Sequence, residues 1–290
     1  MKDKDKILGA LFGVAIGDAL GAPLEFMSAS EIKRKHGTVT EMIGGGWLSV
    51  EPGEVTDDTQ MTLAVAEGIL ENPKNPYSAI GRRFIEWHDS KPKDIGNCCR
   101  AVIAGAKASH ASTLDDWLDC AKHVHIKTNG QTAGNGALMR AVYPILYYGE
   151  EGLEISDNIG RMTHFHEHSR LSVEVYHKAI ASIIYGKEIN LQSLLNEIKS
   201  ATNIKTLEPT GYAPTALIYA FEILKLKSDF ESALITIVNN GGDADTIGAI
   251  AGGLFGAWYG YSSIPKRWID TLDRSVAKRL EELADIAMNS

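Results

Sequence analysis

Residues 7–21 read ILGALFGVAIGDALG, and this stretch decides the fold. Its apolar residues recur at intervals of three and four positions, the spacing of one α-helix face, and Gly21-Ala22-Pro23 ends the pattern. Glycine stands at positions 9, 13 and 17, although an interior glycine costs a helix about 1 kcal/mol relative to alanine. The four-residue spacing of these glycines predicts that the backbone of this helix lies close to that of another helix.

A second glycine-rich helical pattern covers residues 247–258. Further helical patterns begin after Thr59 and recur at residues 79–87, 95–108, 169–184, 214–226, 230–238 and 275–288. The alternation of apolar and polar residues that is typical of strands is short and scarce. The sequence therefore predicts an all-α protein. Because no Pro/Ser-rich linker and no tandem repeat divides the chain, we expect residues 1–290 to form a single domain.

The composition excludes some classes of protein. Lysine and arginine number 29 against 37 aspartates and glutamates, so the net charge is −8, whereas general nucleic-acid binding needs a basic surface. Three cysteines give no disulfide framework and favour a reducing compartment. Asp18 interrupts the first apolar run, which lacks a signal-peptide cleavage site, and no uninterrupted stretch has the length of a membrane span. A cytoplasmic protein without a membrane span is expected.

Two short acidic segments, Thr56–Thr59 and Asp243–Thr246, each precede a helical pattern. Either segment alone is explained more readily as a helix cap, because Asp and Thr oxygens accept hydrogen bonds from free backbone amides. Together they would gather four carboxylates, which repel one another unless a cation lies among them. Carboxylate and hydroxyl oxygens without His or Cys suit Mg²⁺, Mn²⁺ or Ca²⁺ rather than zinc. Glu25, just after the first glycine-rich helix, is a further candidate ligand.

Three motifs resemble those of the ADP-ribosylglycohydrolases, because Gly17–Gly21, Thr56–Thr59 and Gly242–Thr246 stand in the same order and at similar separations. The resemblance covers about residues 7–260. Within that family, the length and motifs are most similar to those of the bacterial and archaeal dinitrogenase reductase-activating glycohydrolases. The resemblance implies a compact orthogonal bundle of α-helices around a central cleft, a pair of Mg²⁺ or Mn²⁺ ions, and hydrolysis of the bond that joins ADP-ribose to a side chain.

The resemblance also implies roles for individual residues. The metal ligands would be Thr56, Asp57, Asp58, Asp243, Asp245 and Thr246. Glu25 would be an additional ligand or a carboxylate that positions water, and Asp94 would be the acid/base carboxylate. Without the resemblance, Asp94 would equally suit a cap for the helix predicted from Ile95. Asn97 would lie on the adenylate side of the substrate.

Residues 132–140 read TAGNGALMR, a glycine-rich turn that is predicted to enter a helix. The bare pattern favours a plain turn, although such turns also bring backbone amides to a phosphate at the start of a helix. The resemblance places three of its residues in an ADP-ribose cleft: Gly134, Asn135 and Gly136. His164 is expected to contact ribose or phosphate. Tyr212 is expected to cover the adenine or the distal ribose, or else to be an aromatic cap in the core.

Residues 163–168 read THFHEH and allow a rival interpretation as a zinc site. Alternating histidines would share one face of a strand, but helical patterns flank them here. His166 and His168 are therefore expected to be polar residues at the rim of the cleft. Three glycines at positions 44–46 precede Trp47 and predict a mobile lid rather than a strand. The resemblance implies that this lid lies over the metal site.

The function implied by the resemblance is removal of ADP-ribose from a mono-ADP-ribosylated side chain, with arginine as the expected linkage. Serine-linked ADP-ribose, O-acetyl-ADP-ribose and another small ADP-ribosylated molecule are alternative substrates. A non-catalytic member of the fold is a further alternative, although the presence of all the acidic ligand positions favours catalysis. The expected partners are an ADP-ribosylated protein as substrate and ADP-ribose as product, and the chain is expected to be a monomer.

Overall fold

The computed structural model describes residues 2–204, 207–227 and 229–290. Within these ranges the chain is helical and forms isolated β-bridges but no β-strand. The α-helices are α1 Lys4–Gly21, α2 Ala29–His36, α3 Asp57–Glu71, α4 Tyr77–Asp89, α5 Asn97–Ala108, α6 Leu114–Lys127, α7 Val142–Tyr148, α8 Leu153–Arg161, α9 Glu167–Ile184, α10 Leu191–Thr202, α11 Ala213–Leu226, α12 Phe230–Val238, α13 Ala244–Tyr259, α14 Lys266–Thr271 and α15 Arg274–Asn289. Short 3-10 helices lie at Ala22–Leu24, Asn135–Ala137, Gly149–Gly152 and Tyr261–Ser263. The prediction of an all-α fold is confirmed.

Helices α1 and α13 lie antiparallel with their backbones in contact. A methyl group added at Gly9 would lie 2.2 Å from the carbonyl oxygen of Gly256, and one added at Gly17 would lie 2.0 Å from that of Gly248. No side chain fits between the helices at these positions, so the close approach predicted from the glycine spacing is confirmed. Because the two helices run in opposite directions, the last turn of α1 and the first turn of α13 meet at the same end of the protein.

Helix α1 occupies the centre of the hydrophobic core. Every residue from Gly9 to Gly21 is buried, and α3, α7, α12 and α15 contact this helix in addition to α13. With a mean hydropathy of 1.8, the segment Lys4–Leu24 is long and apolar enough to cross a membrane, despite Asp18, but 94% of its 18-residue apolar window is buried inside the protein. Burial among other helices accounts for its apolar composition, since a helix that is apolar on all sides must be covered on all sides.

Six of the described helices are absent from the sequence prediction: α2, α6, α7, α8, α10 and α14. Helix α2 shows the physical reason, because Ile32 is its only buried residue and it therefore lacks an apolar repeat. A capping box fixes its start instead, in which the Ser28 hydroxyl accepts from the Glu31 amide and the Glu31 carboxylate accepts from the Ser28 amide. Helix α7 has 7 residues, too few to display a repeat.

Candidate functional site

A cleft of about 610 Å³ opens at the end of the protein where α1 ends and α13 begins. Ten of the residues predicted for the site line it: Glu25, Asp57, Asp94, Asn97, Gly134, Asn135, Gly136, His164, Asp243 and Thr246. Thr56, Asp58 and Asp245 are buried and do not line this cleft, and neither does Tyr212. Helices α3 and α13 thus bring the two acidic segments of the sequence to one place.

Asp58 joins the two acidic segments. Its Oδ2 accepts hydrogen bonds from the Thr56 hydroxyl, at 3.1 Å, and from the Thr246 hydroxyl, at 3.5 Å. Its Oδ1 is buried and has no hydrogen-bond partner among the described residues. A buried carboxylate oxygen without a partner is costly in free energy. This oxygen therefore fits a site for a hard cation, which prefers oxygen ligands.

Asp18 holds the acidic segment Thr56–Thr59 in place, a role absent from the sequence prediction. Its carboxylate accepts hydrogen bonds from the backbone amides of Thr56 and Thr59, at 3.0 and 3.1 Å, and from their hydroxyls, at 2.8 and 2.6 Å. The side chains of Thr56 and Asp243, which stand at the N-caps of α3 and α13, form no capping hydrogen bond. The alternative interpretation of these two residues as ordinary helix caps is therefore wrong.

Glu25, Asp94 and Asp245 converge from three separate parts of the chain. One carboxylate oxygen of each lies within 4.8 Å of the others, close enough for all three to hold one metal ion. The structure thus adds Asp94 to the residues that can bind a cation, whereas the sequence prediction gave it an acid/base role alone. Its interpretation as the N-cap of α5 is wrong, because Gly96 occupies that position.

Trp47 contacts Glu25 from the segment that was predicted to be a lid. Its indole Nε1–H donates to Glu25 Oε2 at 2.6 Å, and its ring lies 5.4 Å from that of Phe26. The preceding glycines 44–46 all have positive φ, and Gly45 and Val50 exchange two backbone hydrogen bonds that close the turn. The side chain of Trp47 therefore covers Glu25 at the edge of the cleft.

The carboxylates of the cluster favour protonated forms. Burial, followed by the charge of Asp94, raises the pKa of Asp57 to about 8. Burial raises the pKa of Glu25 to about 7, although its hydrogen bond from Trp47 opposes the change. Burial and neighbouring carboxylates hold the pKa values of Asp58 and Asp245 well above their ordinary value. Near neutral pH the cluster must therefore bind protons or cations to offset its negative charge.

These shifts predict how metal ions change stability with pH. Between about pH 4 and 8 the folded protein holds protons that the unfolded chain has released, so without cations its free energy of unfolding falls as the pH rises. A cation replaces those protons, and at one hundred times its Kd it adds about 2.7 kcal/mol. We expect Mg²⁺ or Mn²⁺ to raise the unfolding temperature more at pH 8 than at pH 5, as measured by calorimetry with a chelator control. An equal increase at both pH values would contradict a carboxylate site.

Asn135 links the glycine-rich turn to the acidic cluster. Its Nδ2–H donates to Asp243 Oδ2 at 2.6 Å, and its backbone amide donates to the carbonyl of Gly211 at 2.9 Å. The turn enters only the three-residue 3-10 helix Asn135–Ala137, and α7 begins at Val142. The turn therefore does not lead into a regular helix as predicted, and the plain turn that the bare pattern favours agrees with the structure.

His164 lies against the two glycines of this turn. A Cβ at Gly136 would lie 2.8 Å from the Cε1 of the imidazole, and one at Gly134 would lie 3.1 Å from its Nε2. These glycines are therefore needed for space rather than for an unusual backbone angle. Burial, and then the charge of Arg140, lowers the pKa of His164 to about 3, so the ring is neutral at physiological pH. Arg140 is completely buried, and the sequence prediction gave it no role.

Tyr212 stands beside the cleft, at the N-cap of α11. Its hydroxyl forms a hydrogen bond of 2.6 Å with His168 Nδ1, and the rings of His166 and His168 lie 4.6 Å apart. Among the described residues, no histidine belongs to a group of three side chains that could hold a metal ion. The rival interpretation of residues 163–168 as a zinc site therefore has no support in the structure.

Comparisons with known proteins agree with the motifs. The sequence model of the family described as ADP-ribosylglycohydrolase matches residues 1–290. The chain is 32% identical to the ADP-ribosyl-[dinitrogen reductase] glycohydrolase of Rhodospirillum rubrum, over 97% of this chain and 95% of that protein. It is 29% identical to the ADP-ribosylarginine hydrolase Tri1 of Serratia proteamaculans (strain 568), over 97% of this chain and 78% of that protein. A solved structure, the ADP-ribosylglycohydrolase-related protein complex, matches with a TM-score of 0.81 and 29% identity, over 99% of this chain and 98% of that chain.

Proposed function

Because the chain belongs to the ADP-ribosylglycohydrolase family, we propose that it hydrolyses the N-glycosidic bond between ADP-ribose and an arginine side chain and so reverses mono-ADP-ribosylation. The observation that carries this proposal is the convergence of Glu25, Asp94 and Asp245 at the end of α1 and α13. Relatives that act on ADP-ribosyl-dinitrogen reductase and on ADP-ribosylarginine support arginine as the linkage. The substrate would be an ADP-ribosylated protein, and the product would be ADP-ribose.

Two Mg²⁺ or Mn²⁺ ions are part of this proposal. The residues that would hold them are Thr56, Asp57, Asp58, Asp243, Asp245 and Thr246, with Glu25 as a further ligand or as the carboxylate that positions water. The unpartnered Oδ1 of Asp58 and the convergence of Glu25, Asp94 and Asp245 support a cation there. Bound cations would supply Lewis-acid polarisation of hydroxyl and water oxygens.

The side chains around the site would then transfer protons and stabilise charge during the reaction. In the overall reaction a water oxygen bonds to the anomeric carbon of the ribose, the carbon–nitrogen bond breaks, and the leaving nitrogen receives a proton. Burial raises the pKa of Asp94, which suits a group that gives and takes protons near neutral pH. The transition state carries positive charge on the ribose, and the surrounding carboxylates would stabilise that charge.

Substrate contacts complete the proposal. Asn97, Gly134, Asn135, Gly136 and His164 line the cleft and would contact ADP-ribose. Tyr212 would lie over the adenine or the distal ribose, next to the cleft-lining Gly211. We further propose that residues 1–290 form one domain, because a single core cluster runs from Ile7 to Ala287. Its three free cysteines favour a cytoplasmic location, and a monomeric state stays a prediction.

The proposal is tested by incubating the purified protein with peptides that carry ADP-ribose on arginine or on serine, with Mg²⁺ or Mn²⁺, and measuring the ADP-ribose released. Release from the arginine peptide alone is the expected result. Release from the serine peptide or from O-acetyl-ADP-ribose, without release from the arginine peptide, would keep the fold and metals but replace the substrate. Binding of ADP-ribose without release from any substrate would indicate a non-catalytic member.

Replacing Asp94 with asparagine separates its two possible roles. As a proton donor it should contribute on the order of 10²- to 10⁴-fold to the rate, so Asp94→Asn should lower kcat by that factor and leave the half-saturating metal concentration unchanged. Steady-state kinetics over a metal titration measure both quantities. Asp89→Asn is the matched control, since Asp89 forms an exposed ion pair with Lys107 on the protein surface. A large rise in the half-saturating metal concentration would instead make Asp94 a metal ligand.

A further inference from the structure

Arg140 is a buried charge with no acidic partner. Its relative exposure is 0%, and no carboxylate lies within ion-pair distance of it among the described residues. Its guanidinium donates to the carbonyls of Gly136 and Ile159 and to the Thr163 hydroxyl, and it lies 5.0 Å above the centre of the Phe84 ring. An uncompensated buried charge is costly. Its position behind the wall of the cleft, against the cleft-lining Gly136, therefore calls for a contribution beyond packing.

The hydrogen bond from Arg140 to Thr163 determines the direction of the hydrogen bond between Thr163 and His164. Arg140 Nη2–H donates to Thr163 Oγ1 at 2.7 Å, and a guanidinium can only donate. The same oxygen lies 2.8 Å from His164 Nδ1. The other group near the hydroxyl, among the described residues, is the Cys99 thiol at 4.0 Å, which is a weak donor to the same oxygen. The Thr163 hydroxyl proton therefore points to His164 Nδ1, since a buried hydroxyl without an acceptor is costly.

The charge of Arg140 favours the same arrangement. A positive charge next to Thr163 stabilises a lone pair on Nδ1 and destabilises an N–H at that atom. A neutral imidazole carries one proton, so when Nδ1 accepts, the proton resides on Nε2. The Nε2 atom has no partner within the protein among the described residues. It lies beside Gly134 and Gly136 in the wall of the cleft.

We propose that Arg140, acting through Thr163, is a positioning residue that fixes the proton of His164 on Nε2, so that His164 presents a hydrogen-bond donor to an oxygen of the bound ligand. The identity of the ligand as an ADP-ribosyl group rests on the proposed function. The chemistry that His164 recognises is an acceptor oxygen, of either a ribose hydroxyl or a phosphate. In this state His164 gives a hydrogen bond and does not take a proton from water.

Nitrogen-15 NMR of the histidine side chains tests the proton position directly, because protonated and unprotonated ring nitrogens resonate far apart. The His164 signals are identified by their loss in His164→Gln. The expected spectrum of the intact protein shows Nε2 protonated and Nδ1 unprotonated. Thr163→Val, which removes the hydroxyl and keeps the shape, should mix the two tautomers, whereas Thr163→Ser should preserve the Nε2–H form. Protonated Nδ1 in the intact protein, or an unchanged spectrum in Thr163→Val, would overturn the proposal.

Binding of ADP-ribose, measured by calorimetry, tests the role of the donor. His164→Leu should weaken binding about tenfold, the value of one hydrogen bond, and His164→Gln, whose amide places a donor near Nε2, should recover part of that loss. Equal losses in both variants would refute the donor role. Because neither measurement requires turnover, an intact protein that shows the expected tautomer and binds ADP-ribose but releases none would contradict the proposed function and leave this inference standing.

Discussion

Asp245→Ala should abolish metal-dependent release of ADP-ribose, with a fall in kcat/KM of about a thousandfold or more. Bound cations contribute several kcal/mol to the stabilisation of charge in a transition state, and each 1.36 kcal/mol corresponds to a factor of ten in rate. Asp245 is buried, lies within 4.8 Å of Glu25 and Asp94, and belongs to the helix that faces α1. Asp245→Ala therefore removes the carboxylate that α13 contributes to this group.

The loss of activity in Asp245→Ala should not come from unfolding of the protein. Burial holds the pKa of Asp245 well above its ordinary value, so Asp245→Asn replaces a group whose ionisation is unfavourable in the metal-free protein by an amide that cannot ionise. We expect that variant to unfold, with a chelator present, at a temperature no lower than the parent. Asp270→Ala is the matched control for activity, since Asp270 pairs with Lys266 on the surface. Full activity of Asp245→Ala, or of the parent protein after exhaustive chelation, would refute the metal mechanism.

Gly13→Ala should cause a large loss of stability. The new Cβ would lie 2.0 Å from the carbonyl oxygen of Gly252 and 2.6 Å from its carbonyl carbon. These are backbone atoms that no rotamer change can move, so the helices must separate. Overpacking of this kind costs about 3 kcal/mol or more, which lowers the unfolding temperature by roughly 10 °C. Metal affinity should fall as well, because α13 carries Asp245 and α1 carries Asp18, which holds the segment Thr56–Thr59 in place.

Gly105→Ala is the control for this prediction. Gly105 also lies inside an α-helix, α5, but a Cβ added there meets no atom within 4 Å. Alanine should stabilise this position by about 0.4–1 kcal/mol, because it restricts the unfolded chain and favours helix. Calorimetry of both variants gives the comparison. Similar unfolding temperatures for Gly13→Ala and Gly105→Ala would contradict contact between the backbones of α1 and α13.

The part of the fold that sequence periodicity could predict is the part built from long apolar repeats. Helices α1 and α13 each combine such a repeat with regularly spaced glycine, and both the helices and their close approach are confirmed. The partner of α1 could not be predicted, because glycine spacing reveals a close contact but not which helix makes it. Helix α2 could not be predicted from an apolar repeat, because capping by Ser28 and Glu31, rather than burial, determines its start.

The residues of the site likewise divide into those that the sequence could predict and those that it could not. Carboxylates that stand in recognisable segments, such as Asp57 and Asp243, could be proposed from the sequence. Asp18 and Arg140 could not, because their roles depend on partners 38 and 23 residues away. A signal for both existed nonetheless, since each is a single charged residue inside an apolar stretch of the sequence. Such a residue is rarely buried without a specific partner or purpose.

The pairing of α1 with α13 also has a consequence during synthesis of the chain on the ribosome. Helix α1 leaves the ribosome first, yet the backbone that covers it follows roughly 240 residues later. At about 5–20 residues per second, this long apolar helix waits on the order of 10–50 s for its partner. During that interval it has the length and hydropathy of a membrane-crossing segment. A ribosome that stalls before residue 244 would release a product without α13, the helix that covers the glycines of α1.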